Sequence, residues 1–256
     1  GVIDVTWICY AELVMFGMYG MYFLVQYYGL SYFVAAPLTI LLVAILGALL
    51  HYLVIAPLLN AAPINQLLAT GGVLFVLQSF ATVAFGIDFR NLGIRLPVLR
   101  LGEMHFSYSR LLAFGVALLG MLLVYLFMTR TFLGTAIRAI AQDRQIMPLM
   151  GVDAKRIYLV TSAIGGALAG LASCLLVLQY DVHPFVGLSF GPITFLICVL
   201  GGLGNFIGGF IAAFLFAEII SLGGLFSDLE WGYVLAFAFF IVMMFIRPTG
   251  LLTRRS

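Results

Sequence analysis

Charged residues are scarce in this chain, making up 9% of its 256 residues, whereas 64% are hydrophobic. A soluble domain carries roughly 25% charged residues, so this chain has too few of them to cover its own surface in water. The composition therefore excludes an ordinary soluble protein and predicts an all-α integral membrane protein. The formal net charge of +2 gives no indication of a nucleic-acid partner.

Motifs for catalysis and metal binding are also missing. The chain has no G-x-x-x-x-G-K-[ST] loop for nucleotide phosphates, no H-E-x-x-H pair and no cysteine cluster. Its cysteines, Cys9, Cys174 and Cys198, lie in apolar segments and are interpreted as small core residues. The sequence therefore predicts neither an enzyme nor a metal site, and a role driven by ATP would require separate nucleotide-binding subunits.

Long apolar runs predict seven membrane segments, because a helix needs about 20 apolar residues to cross a hydrocarbon core of about 30 Å. The segments are residues 8–28, 31–59, 63–86, 111–129, 157–180, 190–221 and 233–246. The sixth is too long for one plain span, and its glycine-rich stretch 201–205 predicts a break in the helix. We therefore expect residues 1–256 to form a single transmembrane domain, a polytopic helical bundle of about seven or eight membrane segments.

Lysine and arginine indicate which loops face the cytoplasm, because short cytoplasmic loops are enriched in these residues. The loop 130–157 and the residues after 246 are both basic, so both are predicted to be cytoplasmic. The loop 88–110 also holds four arginines, but it lies one span away from 130–157 and is therefore placed outside.

The parity of crossings supports the predicted break. Two cytoplasmic ends need an even number of crossings between them, and counting 190–221 as one crossing gives three. A turn at 201–205 restores even parity and predicts a re-entrant or very short helix over 190–200, about 16 Å long at 1.5 Å per residue. Broken helices of this kind line substrate paths in several transporter folds.

The basic loop 130–157 is the longest polar interruption on the predicted cytoplasmic side. Residues 135–150 are predicted to form a short amphipathic helix, with Ile137 and Ile140 on one face and Arg138 toward the other. Gly151 is expected to be its C-cap, and Asp153 the N-cap of the next helix. A loop of this kind suits docking to a soluble partner, but a plain solvated cytoplasmic loop explains the residues about equally well.

Three ionisable residues fall within apolar segments, where burial of charge is costly: Glu12, His51 and Glu218. Glu12 is the strongest functional candidate. His51 is more typical of a core histidine with a hydrogen-bond partner than of a ligand. Glu218 suits either a proton- or cation-coupling role or, the reading we favour, a solvated position near the outer interface. Small residues at 165–170 predict tight helix packing, whereas those at 201–209 fit packing and pore lining equally well.

Several stretches resemble the inner-membrane permease subunits of branched-chain amino acid ABC importers. LGTAIRA (133–139) followed by LMGV (149–152) resembles the LG-x-A-x-RA…L-M-G-I segment of that family, and FLICVLGGLGN (195–205) resembles its V-L-G-G-L-G-[SN] signature. PL (57–58) with ATGG (69–72) is similar to its R-P-L…A-T-[IL]-G stretch, and RPTGL (247–251) to its terminal R-P-x-G-L. The similarity covers nearly the whole chain in the right order.

The resemblance implies one half of an importer in the bacterial inner (plasma) membrane. A periplasmic binding protein would deliver a small solute, such as a hydrophobic or branched-chain amino acid or a related amide or carboxylate, to this chain and a second, homologous permease. Two cytoplasmic ATPases would bind ATP and Mg²⁺ and drive transport, with no cofactor in this chain. The residues implied in ATPase coupling are Gly134, Arg138, Ala139, Asp143, Arg144, Met150 and Gly151. Those implied in the substrate path are Trp7, Tyr10, Glu12, Gly201, Gly202, Gly204 and Asn205.

The N-terminal stretch departs from the family pattern. Trp7 and Tyr10 stand where asparagine and histidine are usual, which puts an ordinary branched-chain substrate in doubt, and Pro148 replaces a usual alanine in the coupling segment. The family normally has another helix before this region, so about one further span is expected upstream. The rival interpretations are an ion-coupled secondary carrier that uses Glu12 or Glu218, and a passive channel subunit; a docking loop would be idle in both.

Overall fold

The computed structural model describes residues 7, 9–59, 61–94, 98–101, 104–142, 153–202, 204–226, 229–247 and 250–251. Most of these residues are helical, which confirms the predicted fold class. The helices are α1 (Tyr10–Gln26), α2 (Tyr32–Leu50), α3 (Ala56–Leu58), α4 (Pro63–Phe85), α5 (Tyr108–Arg130), α6 (Phe132–Gln142), α7 (Ala154–Leu176), α8 (Val186–Gly201), α9 (Phe206–Phe226) and α10 (Leu229–Ile246).

Among the described residues, five helical stretches are long and apolar enough to cross a membrane: Tyr32–Leu58, Ile64–Phe85, Tyr108–Arg130, Ala154–Leu176 and Phe206–Leu225. Val186–Gly201 and Glu230–Ile246 are apolar but shorter. The first stretch runs from α2 into α3 through a π-helical turn, His51–Ile55. His51 is buried there and its Nδ1 lies 3.0 Å from Ser162 Oγ, so it is a core histidine with a polar partner, as predicted.

The chain packs as two compact units, of which the first spans Thr6–Ser189. Its central helix is α1, which packs against α2, α4 and α7. The side chains of Leu13, Met15 and Met18 on α1 are fully buried, whereas α2, α4 and α5 expose many large apolar side chains. A buried helix surrounded by helices with apolar outer faces is the arrangement expected in lipid, where exposed apolar groups cost nothing.

Glycines bring α2 and α7 into close backbone contact, as the small-residue pattern at 165–170 predicts. A Cβ added at Gly166 would lie 2.5 Å from the Val43 carbonyl oxygen, and one added at Gly170 would lie 2.9 Å from Ile40 Cα. From the α2 side, a Cβ at Gly47 would lie 2.9 Å from the Ser162 carbonyl oxygen. The two helices can therefore approach this closely only because these positions have no side chain.

The segment after α4 contains a feature that the sequence analysis did not predict, a hairpin of β1 (Val98–Leu101) and β2 (Met104–Ser107). Before it, Arg90 and Val182 exchange backbone hydrogen bonds of 2.9 and 2.7 Å, and Asn91 Nδ2 donates to Asp181 Oδ1 at 2.6 Å. These contacts join the loop after α4 to the loop between α7 and α8.

The second unit spans Phe190–Ser256 and contains most of α8 together with α9 and α10. Its core consists of Leu200, Ala212, Phe216 and Ala236. The predicted break in segment 190–221 is present, since α8 ends at Gly201 and α9 begins at Phe206. The predicted extent of the first piece is wrong: α8 has 16 residues, about 24 Å, and begins at Val186. It starts early because Pro184 lies in the turn before it, where the Val186 N–H already bonds to the His183 carbonyl at 3.1 Å.

Candidate functional site

The predicted docking loop contains the amphipathic helix α6, but the helix begins at Phe132 instead of residue 135. Thr131 causes the earlier start, because its Oγ1 accepts a hydrogen bond from the Gly134 N–H at 3.0 Å and so caps the helix. Residues 143–152 lie outside the described residues, and with them the predicted helix end and C-cap. The predicted coupling residues in that stretch are Asp143, Arg144, Met150 and Gly151.

The two faces of α6 are clearly different. Ile137 and Ile140 are buried, as predicted, together with Ala136. Phe132 is 76% exposed, and Thr135 and Arg138 are exposed at three-residue intervals on the same side. This exposed face, Phe132–Thr135–Arg138, combines a large aromatic ring with a cation, and within the described part of the loop it is accessible to a partner.

Packing against the preceding helix explains Gly134. A Cβ at this position would lie 2.5 Å from Met128 Cα and 2.7 Å from the Met128 carbonyl oxygen, both on α5. A side chain at 134 would therefore push α6 away from the end of α5. Ala139, its neighbour in the predicted coupling set, is partly buried on the same helix. Gly134 thus fixes the angle at which α6 leaves the bundle.

Asp153 caps α7, the helix that follows the loop, as the sequence predicts. Its Oδ1 accepts a hydrogen bond from the Lys155 N–H at 3.0 Å. Its Oδ2 also lies 3.2 Å from Arg156 Nε in an exposed ion pair, which contributes little to stability. The start of α7 is therefore fixed by the cap.

The first predicted path residues meet at the beginning of α1. The rings of Trp7 and Tyr10 pack edge to face with centroids 5.7 Å apart, and Trp7 Nε1 donates to Cys9 Sγ at 2.7 Å. Tyr10 Oη donates to the Gly165 carbonyl oxygen at 2.5 Å. Gly165 lies near the middle of α7, so α1 begins at about half the height of that helix.

Glu12 is fully buried two residues further along α1. Its Oε1 accepts a hydrogen bond from Gln78 Nε2 on α4 at 3.0 Å, whereas its Oε2 has no donor among the described residues. Gly187, the second residue of α8, lies against this carboxyl group, since a Cβ there would be 2.6 Å from Oε1. Neither Gln78 nor Gly187 was predicted from the sequence; the signal for Gln78 is an amide within an apolar run.

The remaining predicted path residues form the break between α8 and α9. Gly202 and Gly204 have φ values of 91° and 85°, which strongly favour glycine. Asn205 Oδ1 accepts from the Gly208 N–H at 3.0 Å and caps α9. At Gly201, an added Cβ would lie 2.6 Å from the Gly208 carbonyl carbon, so the chain folds back on itself in backbone contact.

The segment that resembles the terminal R-P-x-G-L holds this break in place. The Leu251 N–H donates to the Leu200 carbonyl at 2.8 Å and satisfies a group that the end of α8 leaves unpaired. Gly250 has a φ of 95°, and a Cβ there would lie 2.6 Å from Gly202 Cα. The predicted path residues thus form one cluster in each compact unit, and a lining role for either cluster remains a prediction.

Comparison with known proteins supports the resemblance found in the sequence. Residues 1–244 match the family model described as "Branched-chain amino acid transport system / permease component". The high-affinity branched-chain amino acid transport system permease protein BraD of Pseudomonas aeruginosa is 37% identical over 150 residues, which cover 58% of this chain and 48% of BraD. The match thus spans about half the length of BraD.

Two permease proteins of Escherichia coli (strain K12) from the same kind of system are also similar. LivH is 29% identical over 209 residues, which cover 77% of this chain and 67% of LivH. LivM is 26% identical over 267 residues, which cover 95% of this chain and 62% of LivM. No solved structure matches the chain. With its apolar helices and a family match over most of its length, this multi-pass membrane protein belongs to the family of branched-chain amino acid transport system permease components.

Proposed function

We propose that this chain is one permease half of an ATP-driven importer in the bacterial inner membrane. As a permease component it is a transport subunit and not an enzyme. The observation that carries the proposal is α6, a short helix anchored by its apolar side between α5 and α7 that presents Phe132 and Arg138 outward. A partner that pushes on this helix displaces α7, which is capped immediately after the loop and packs along α1 and α2.

The proposed solute is a hydrophobic or branched-chain amino acid, or a related amide or carboxylate. The names of BraD, LivH and LivM support this class. The interior of the first unit also fits it, because its buried side chains are mainly apolar with a few polar groups such as Glu12 and Gln78. We propose Trp7, Tyr10 and the break at 201–205 as further parts of the path.

The proposed partners are two cytoplasmic ATPases that bind ATP and Mg²⁺, a periplasmic binding protein and a second permease. Similarity to both LivH and LivM, two permease proteins of one organism, supports pairing with a homologous chain. Loop 130–157 is proposed to face the cytoplasm and to contact the ATPases. The proposed contact residues are Arg138, Ala139, Asp143, Arg144, Met150 and Gly151. Gly134 supports this contact by holding α6 close to α5.

Affinity purification of the tagged chain from its native membrane, with mass spectrometry of its partners, tests this proposal. We expect the unaltered chain to bring down P-loop ATPases and a second permease. In Arg138→Glu, ATPase recovery should fall about tenfold or more, since a loss of about 1.4 kcal/mol at an interface equals a factor of ten. The second permease should be retained.

The matched control is Arg110→Glu, which makes the same charge change at an exposed position at the start of α5, the end of that helix remote from α6. It should leave ATPase recovery unchanged. Equal ATPase recovery in both variants would show that the exposed face of α6 is not part of the interface with the ATPases. A chain that is recovered alone from several mild detergents would contradict the importer proposal and favour an ion-coupled carrier.

A further inference from the structure

The carboxyl group of Glu12 has only half of the hydrogen bonding that its burial demands. The residue is fully buried, and Gln78 Nε2 supplies a donor to Oε1 alone. Oε2 is buried with no hydrogen-bond donor among the described residues, and none of their basic side chains forms an ion pair with it. Buried carboxyl oxygens are nearly always paired, so the unpaired Oε2 requires an explanation.

Gln78 determines which oxygen is available. Its amide is itself 5% exposed, and an amide N–H held on Oε1 fixes the orientation of the carboxyl group. The site therefore presents one acceptor oxygen at a fixed angle from the central helix α1. A ligand for it must bring an N–H or O–H donor, and a positively charged donor gains most in a site of low dielectric constant.

Gly187 covers the carboxyl group from the first turn of α8. Because an added Cβ would lie 2.6 Å from Oε1 and 2.8 Å from Cδ of Glu12, the backbone of α8 rests directly on this group. Only glycine permits such an approach. A small outward movement of the first turn of α8 would uncover the carboxyl group without unfolding any helix.

The position of Glu12 and Gln78 along the helix axes fits a solute that arrives from outside the cell. Gln78 lies seven residues before the end of α4 at Phe85, or about 10 Å at 1.5 Å per residue. The contacts between α1 and α7 give the same position along the bundle. Tyr10 of α1 bonds to Gly165, and the Val14 carbonyl accepts from Ser173. Glu12 lies between these two contacts. The site is therefore closer to the end of the bundle remote from loop 130–157, which is the outer end in the proposed orientation.

Resting on the importer function proposed above, we propose that Glu12 and Gln78 form a subsite for the ammonium group of the solute, with Gly187 as its cover. Glu12 Oε2 accepts the ammonium N–H, Gln78 holds the carboxylate in position, and the apolar part of the solute lies among the surrounding apolar side chains. Glu12 thus selects solutes that carry a cationic amine over those that lack one.

Ligand-induced stabilisation of the purified permease complex, without binding protein, tests the subsite directly. Three probes share one branched carbon chain: leucine, 3-methylbutylamine, which lacks the carboxylate, and 4-methylpentanoate, which lacks the ammonium. At millimolar concentration, we expect the first two to raise the thermal unfolding midpoint and 4-methylpentanoate to leave it unchanged. Equal shifts with the amine and the carboxylate would overturn the proposal.

The isosteric variant Glu12→Gln tests the role of the charge. We expect it to abolish the shift with 3-methylbutylamine and to lower ATP-driven leucine uptake in proteoliposomes about tenfold or more. Tyr19→Phe is the matched control, because Tyr19 Oη is the other buried atom without a partner among the described residues; it should retain uptake within about twofold.

The outcomes separate the subsite from the importer function. Wild-type uptake by Glu12→Gln would show that the carboxyl group is a neutral structural element and would overturn the subsite alone. A wild-type complex with no ATP-driven uptake would instead contradict the importer function, while the three stabilisation measurements still decide whether the amine binds. If Glu12→Gln fails to fold, the same three measurements on the unaltered complex decide the question.

Discussion

Replacing Gly166 with valine is expected to destabilise the folded permease strongly. The Cβ atom of the valine would lie 2.5 Å from the Val43 carbonyl oxygen and 3.1 Å from Ala44 Cα. These are backbone atoms of α2, so the collision cannot be relieved by a rotamer change. Helix pairs in lipid are held by close packing and not by the hydrophobic effect, so separating α2 from α7 removes the main interaction between them.

The expected cost is about 3 kcal/mol, the upper part of the range for over-packed cores. That is a large share of the roughly 5–15 kcal/mol by which folded proteins are stable. Size-exclusion chromatography of the detergent-extracted protein, with the thermal unfolding midpoint, measures the loss. Gly115→Val on α5 is the matched control, because among the described residues no atom outside the neighbouring turns of α5 lies within 4 Å of an added Cβ there. A similar loss of stability in both variants would mean that valine acts through its effect on the helix itself. The close contact between α2 and α7 would then not explain the result.

Replacing Gly208 with alanine is expected to distort the break between α8 and α9. The added methyl group would collide with the Gly201 carbonyl oxygen and approach Asn205 Cγ at 3.2 Å. The Gly208 N–H also donates the capping hydrogen bond to Asn205 Oδ1, so displacement of Gly208 disturbs the start of α9 as well. We expect a loss of about 2 kcal/mol and a marked fall in ATP-driven uptake.

The neighbouring glycine provides the control for this experiment. Gly209→Ala makes the same change one residue later, where no described atom outside the neighbouring turns of α9 lies within 4 Å of the added Cβ. It should keep both the unfolding midpoint and the uptake rate close to those of the unaltered chain. Equal damage at 208 and 209 would show that helix flexibility matters here, and not the backbone contact with Gly201.

Local rules predict the elements whose signals lie close together in the sequence. The break at 201–205 follows from glycine density, the cap at Asp153 from its position before a helix, and the buried face of α6 from the spacing of Ile137 and Ile140. Each of these depends on residues within about one helical turn of one another. The same is true of the close glycine contacts of α7.

Other features depend on partners that are remote in the sequence. Gln78 lies 66 residues from Glu12, and Gly187 reaches the same carboxyl group from another helix. The hairpin of β1 and β2 escapes prediction because strands of four residues carry too short an alternation to stand out. The π-helical turn at His51 has no clear local signal, since its residues also suit a regular helix.

We propose that this chain transports its solute with energy from ATP that partner subunits hydrolyse. Leucine uptake into proteoliposomes that contain the co-purified complex tests it most directly, with the binding protein on the outer side and ATP on the ATPase side. We expect uptake that needs ATP and the binding protein together and persists when proton and sodium gradients are collapsed. Uptake by the purified chain alone, driven by an ion gradient and indifferent to ATP, would contradict it.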